Sequence, residues 1–172
     1  GKLAAVDVEA AFENNAPLGF GTVEDLTRKD LLDLDSCTEC GRCETSCPAH
    51  NSGKLLSPRH IVIKLRDQAD REMPLFGKVK ERQPIMGATI QAEEIWACTT
   101  CRACVEACPV YIDPLGKILE LRRNEVMIKD RYPDTFADVF TGTQKRGNPW
   151  NQHPSSRLEW AKGLPVRTMA EI

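Results

Sequence analysis

The sequence predicts a mainly α-helical fold in which short helices are joined by two cysteine-bearing loops. Three observations predict it. All eight cysteines fall into two clusters. The apolar residues around those clusters recur at helical spacing. No segment shows the strict alternation of a half-buried strand.

The clusters form the one internal repeat. Cys37-Thr-Glu-Cys40-Gly-Arg-Cys43-Glu-Thr-Ser-Cys47-Pro48 matches Cys98-Thr-Thr-Cys101-Arg-Ala-Cys104-Val-Glu-Ala-Cys108-Pro109, both reading C-x2-C-x2-C-x3-C-P. No cysteine is scattered to staple distant loops, so a secreted disulfide scaffold is a poor reading and a reduced compartment with a metal is the better one.

The spacing suits a [4Fe–4S] centre. Gaps of two residues let one tight loop wrap a cubane with three thiolates, and Gly41, Thr99 and Ala103 allow close backbone approach. The fourth cysteine follows a longer gap and stands beside proline, where the chain turns away. In two-cluster ferredoxins with this run, the fourth cysteine ligates the other cluster. The expectation is crossed ligation, with Cys37, Cys40, Cys43 and Cys108 on one cluster and Cys98, Cys101, Cys104 and Cys47 on the second. The alternative from another class is a zinc-stabilised interaction module. Four-cysteine zinc sites usually combine two separated pairs, and the trailing Cys-Pro adds nothing to them.

The flanking segments read as helices. "TVEDLTRKDLLDLDS" leads into the first motif, with a Thr27–Asp30 capping box and Leu31, Leu32 and Leu34 on its apolar side. Ser57 is a predicted N-cap and Pro58 a first-turn residue. Beyond them "RHIVIKLRDQAD" places Ile61, Val62, Leu65 and Ala69 at helical spacing. Glu72 to Gly87 reads as a loop, and "TIQAEEIWA" as a short helix delivering the second motif. Asp113 and Pro114 start a helix with Leu115, Ile118, Leu119 and Val126 on one face. Gly142 to Pro154 reads as irregular, and "SSRLEWAK" as a last helix with a Ser156–Glu159 capping box that stops at Gly163. The domain expectation is an arm over 1–22, a two-cluster domain over 23–130 and an extension over 131–172.

Composition narrows the class further. The hydrophobic fraction of 41% supports a core, and no run approaches the roughly 18 apolar residues of a membrane helix. The formal net charge is −2, but residues 1–50 hold ten Asp/Glu against four Lys/Arg. That acidic third reads as a solvated face, or as a docking surface for a basic partner. No basic block with interleaved aromatics marks a nucleic-acid surface. The start at Gly1 rather than Met suggests a processed chain or an excised fragment. His50, His60 and His153 lie in unrelated contexts and read as surface or capping residues. Arg42 and Arg102, inside the motifs, are candidates for raising a reduction potential, and Trp96 for shielding a cluster. No phosphate loop, Ser-His-Asp arrangement or paired acids are present, so no substrate site and no catalytic residue is expected in this chain.

Two such motifs separated by about fifty residues of helix and loop resemble the helical ferredoxin domain of succinate dehydrogenase, glycerol-3-phosphate dehydrogenase and heterodisulfide reductase subunits. More narrowly, "GFGTVEDLTRKDLLDLDSCTECGRCETSCPAHNSGKLLSPRHIVIKLRD" and "GNPWNQHPSSRLEWAKGLPV" resemble heterodisulfide-reductase-like membrane oxidoreductases. The resemblance implies two [4Fe–4S] clusters that relay electrons from an electron-transfer flavoprotein, or another flavoprotein, to a membrane haem, quinone or cysteine-rich domain. It also implies respiratory electron transport at the cytoplasmic face of a membrane, with 131–172 leading toward that cysteine-rich domain. A complete iron–sulfur subunit of a heterodisulfide reductase, glycerol-3-phosphate or succinate dehydrogenase-type complex is the alternative within the redox class.

Overall fold

The computed structural model describes residues 6–14, 16–74, 76 and 81–172. Parts of the expected N-terminal arm and of the expected 72–87 loop therefore lie outside the described residues. The chain divides into two compact units, Gly1–Arg131 and Tyr132–Ile172.

In the first unit, Asp7 caps α1 (Val8–Glu13) by accepting from the Ala10 N–H. The following segment buries Leu18 and Phe20, and the Phe20 N–H donates to the Glu120 carbonyl at 3.1 Å. Gly19 makes this approach possible. Its φ is +81°, and a Cβ there would stand 2.1 Å from the Glu120 carbonyl oxygen. A short 3-10 turn (Val23–Asp25) then leads to α2 (Arg28–Asp35). The Thr27 hydroxyl and Asp30 carboxylate satisfy each other's backbone N–H groups at its start. Leu34 of α2 is buried and Leu31 packs against the core, but Leu32 is 65% exposed. An eight-residue helix buries one narrow stripe, and Leu32 points away from it.

After the first motif, with α3 (Arg42–Thr45) and α4 (Pro48–Asn51), Ser57 caps α5 (Pro58–Glu72). Helix α5 is the central element, packing against α2, α3, the 3-10 turn and α9. Its Ile61, Val62, Leu65 and Ala69 are buried, as their spacing requires. Gln68 is also fully buried. Its amide donates to the Glu72 carboxylate and the Gln83 carbonyl, both at 2.9 Å, tying the returning chain to the end of α5. A kinked turn, α6 (Ile85–Ala88), buries Ile85 and Met86. Two apolar residues thus anchor the end of the stretch expected to be loop.

Helices α7 (Ala92–Trp96) and α8 (Ala103–Glu106) flank the second motif. Helix α9 (Pro114–Met127) is capped by Asp113, which accepts from the Gly116 N–H at 2.8 Å. Its buried face carries Leu115, Ile118 and Leu121, with Lys117, Asn124 and Glu125 among them. Leu119 and Val126 lie at its edge, half-buried. The expected face is therefore rotated, because a buried lysine occupies a place that hydropathy assigns to solvent. Ile61, Leu65, Ile85, Ile90, Ile95, Ile118 and Leu121 form the centre of the core. No strand occurs among the described residues, and the one bridge joins Met86 and Ile90.

The second unit holds α10 (Thr135–Arg146), which runs through Gly142 into the stretch expected to be irregular. Gly142 is needed for the return that follows, since a Cβ there would lie 2.7 Å from the Asn148 carbonyl oxygen. Tyr132, Phe136 and Phe140 stack edge-to-face along α10. The last expected helix is a 3-10 segment, Pro154–Ala161, capped by His153 rather than Ser156. The Ser156 hydroxyl instead donates to the His153 carbonyl.

Candidate metal centres

The sequence repeat is a repeat of backbone shape. In the first loop Glu39 and Gly41 adopt left-handed φ values of 55° and 78°; in the second, Thr100 and Arg102 adopt 58° and 67°. Each pair folds the chain back and launches a four-residue helix. Five backbone hydrogen bonds recur in register, from Cys37 to Leu34 and Cys98 to Ile95 (both 3.3 Å), through to Cys47 to Glu44 (3.0 Å) and Cys108 to Val105 (3.2 Å). Left-handed backbone is free for Gly41 and strained for Arg102.

Helices α3 and α8 pack against each other, which interleaves the thiols of the two motifs. Cys37, Cys40, Cys43 and Cys108 line one cavity, together with Arg59, Val62 and Ile112. Burial pushes the Cys43 thiol up to about 11, and the neighbouring Cys37, Cys108 and Cys40 add to the rise. Burial likewise pushes Cys104 up to about 12, with Cys98, Cys43, Cys47 and Cys101 as its charged neighbours. Burial also raises Cys98, opposed by the Thr100 N–H and Arg122, and its thiol neighbours are Cys47 and Cys101. Each triplet thus has the fourth cysteine of the other motif beside it. Cys47 and Cys104 are buried, whereas Cys40 and Cys101 are exposed. The Arg42 N–H lowers the Cys40 thiol.

The donor set fits an iron–sulfur cluster. Among the described residues, no three His, Cys, Asp or Glu side chains converge to hold a single metal ion. The first four thiols instead ring a cavity. A lone zinc at Zn–S distances of about 2.3 Å would draw its sulfurs together, whereas a cubane holds its ligands apart at its corners. Backbone N–H groups already aim at sulfur: Thr100 donates to Cys98 Sγ at 3.4 Å and Ile112 to Cys108 Sγ at 3.3 Å.

Two arginines beside the centres escaped sequence reasoning. Arg122, on α9, donates to the Ile95 carbonyl at 3.0 and 2.6 Å and to the Cys98 carbonyl at 2.6 Å. It also stacks 5.0 Å from the Trp96 ring. Burial lowers its guanidinium, with Cys98 acting in the opposite sense. Arg59, in the first turn of α5, lines the cavity of the first motif. Neither residue has a local signal, because each reads as the polar face of a helix. Among the histidines, His50 Nδ1 is 3.2 Å from the Leu56 carbonyl oxygen, His60 lies beside Arg59, and His153 is a cap. Five of the ten carboxylates in the acidic N-terminal third pair with cations from later in the chain. Glu24, Asp30, Asp33, Glu39 and Glu44 meet Arg82, Lys117, Arg66 and Arg59.

The helical fold and its paired cysteine loops define a ferredoxin-type domain for two [4Fe–4S] clusters. Residues 29–109 match the 4Fe–4S dicluster domain. The chain is 34% identical, over 93% of its length, to the EtfAB:quinone oxidoreductase of Syntrophomonas wolfei, and covers 26% of that protein. It is 35% identical, over 99% of its length, to a probable membrane-anchored ferredoxin of Chromohalobacter salexigens, covering 28% of it. With a subunit of the dihydromethanophenazine:CoB–CoM heterodisulfide reductase of Methanosarcina barkeri it shares 27% identity over 80% of its length, covering 35% of that relative. The chain thus spans about a quarter to a third of these relatives. It is an iron–sulfur electron-transfer module of a kind found in larger oxidoreductases.

Proposed function

We propose that the chain relays electrons between a flavoprotein donor, of the electron-transfer flavoprotein type, and a membrane quinone, haem or cysteine-rich acceptor of a larger oxidoreductase. Cys37, Cys40, Cys43 and Cys108 hold one cluster, and Cys98, Cys101, Cys104 and Cys47 hold the other. The observation that carries this reading is the interleaving of the thiols, with Cys108 placed among Cys37, Cys40 and Cys43.

The clusters supply one-electron uptake and release. The chain's residues hold them, keep water from one side and leave the other side accessible. Buried Cys47 and Cys104 face the packed interior, and exposed Cys40 and Cys101 mark the edges where electrons enter and leave. Among the described residues no helix is long and apolar enough to cross a membrane. A role at the cytoplasmic face of a membrane therefore relies on other parts of the protein or on partner subunits. The names of the quinone oxidoreductase and membrane-anchored relatives support the donor and the membrane setting. The unit Tyr132–Ile172 then serves as the connection toward a cysteine-rich domain.

The test is anaerobic purification, iron and sulfide analysis, and stopped-flow mixing with reduced electron-transfer flavoprotein. About 8 Fe per chain, from two four-iron clusters, and rapid bleaching of the cluster absorbance are expected. Stoichiometric zinc without reducible absorbance overturns the cluster reading. Two clusters that accept no electrons from the flavoprotein overturn the donor.

A further inference from the structure

Arg59 stands apart from every other cation near the centres. It follows Pro58 in the first turn of α5 and lines the cavity ringed by Cys37, Cys40, Cys43 and Cys108. Its Nη2 is fixed by the Glu44 carboxylate at 2.9 Å, and that glutamate is the direct neighbour of Cys43 on α3. Its Nε–H is shielded from solvent and has no hydrogen-bond partner among the described residues. A guanidinium is a rigid fork of donors that stays protonated, so pinning one end fixes the direction of the rest. A buried donor left unmade is costly and calls for a partner.

We propose that Arg59 is a tuning residue for the first centre: its Nε–H donates to a sulfur of the cluster held by Cys37, Cys40, Cys43 and Cys108, and makes that centre easier to reduce. The inference rests on the ligand reading above. Reduction adds one electron to the cluster, and hence one negative charge, while no proton leaves the guanidinium. A directed N–H to sulfur favours the more negative state. Because Glu44 balances much of the positive charge, the directed hydrogen bond rather than net charge is the source of the effect. Lysine at this position preserves charge but lacks the fork.

The experiment is a redox titration of the reduced-cluster paramagnetic resonance signals in the wild type, Arg59→Lys and Arg59→Met. Cys40→Ser, a ligand change at the same centre, identifies its signal. Both Arg59 variants are expected to weaken reduction of that centre about tenfold, about 59 mV for one electron, while the other centre stays put. If Arg59→Met fails to assemble, Arg59→Lys alone decides. Unchanged potentials in a variant with full iron, or a shift confined to the other centre, overturn the inference. A wild type lacking two clusters overturns the ligand reading itself, a separate outcome.

Discussion

Lys117 Nζ lies 3.1 Å from Asp30 Oδ1, joining α9 to α2 through a lysine side chain that is only 1% exposed. Asp33 Oδ2 stands at the same distance. Two carboxylates from one helix turn thus enclose a cation from a helix more than eighty residues away, next to the start of the first cysteine loop. Burial alone would raise the Asp30 carboxyl. The Thr27 hydroxyl and the Lys117 ammonium outweigh it and hold that carboxyl below its ordinary value of 3.8.

Removing this cation strips Asp30 of its ion pair, while Asp33 keeps Lys29 at 2.8 Å. Lys117→Met is expected to cost about 3 kcal/mol, as breaking a buried pair does. Adding Asp30→Asn and Asp33→Asn should recover part of the loss. Urea unfolding of the holoprotein, followed by circular dichroism, measures both. The depressed Asp30 pKa gives this contact a definite pH dependence. Its contribution is fully present above the unfolded carboxylate value and fades as pH falls through the lower folded value. The stability gap between wild type and Asp30→Asn should therefore hold steady from neutral pH down to about 5 and close below about 4.

Crossed ligation is decided by paired deletions. Cys37→Ala with Cys108→Ala removes two ligands from one centre and should leave about four irons, those of the other. Cys37→Ala with Cys47→Ala strikes both centres and should leave almost none. Iron analysis after anaerobic purification reads the difference, and the reverse order would mean that each motif serves its own cluster.

The left-handed position of Gly41 predicts a loss for the smallest added side chain. Gly41→Ala meets no neighbouring atom among the described residues, so its cost is backbone strain alone, about 1 kcal/mol. Thermal unfolding should place Gly41→Ala below the wild type.

Arg122 holds the end of α7 against the second loop through three donations to carbonyl oxygens. Arg122→Met takes the arginine donor from the Cys98 carbonyl and leaves the Ile95 carbonyl with only the Cys98 N–H at 3.3 Å, at about 2 kcal/mol for charge-assisted bonds. Iron release to a chelator should accelerate from the Cys98 centre, with the Cys37 centre following more slowly.

What was legible in the sequence is what short range controls. The cysteine spacing, the Thr27–Asp30 box, the Ser57 and Asp113 caps and the α5 stripe each depend on residues within a turn or two of each other. Lys117, Arg59 and Arg122 were not legible. Their partners come from other elements, and a charged residue in a helix reads as solvated until its neighbours are known. The same reason applies to five carboxylates of the acidic first third, which meet cations that follow residue 50. Helix α10 was missed because its capping residue, Asp134, makes no side-chain cap bond, and Gly142 looked like a break. That glycine serves close backbone packing and leaves the helix intact.

The matched geometry of the two loops carries a consequence for the flow of charge. Two like centres held by the same ligand set in superposable turns would be isoenergetic, and a wire of equal sites has no preferred direction. A gradient along this one is written where the sides differ: in Arg42 and Arg102 at unmatched places of the two motifs, in a guanidinium clamped by Glu44 beside one centre, and in one stacked on Trp96 beside the other. Polarity here is a property of what surrounds the cysteines, and helices α5 and α9 are among the places where selection can adjust it without touching a cysteine.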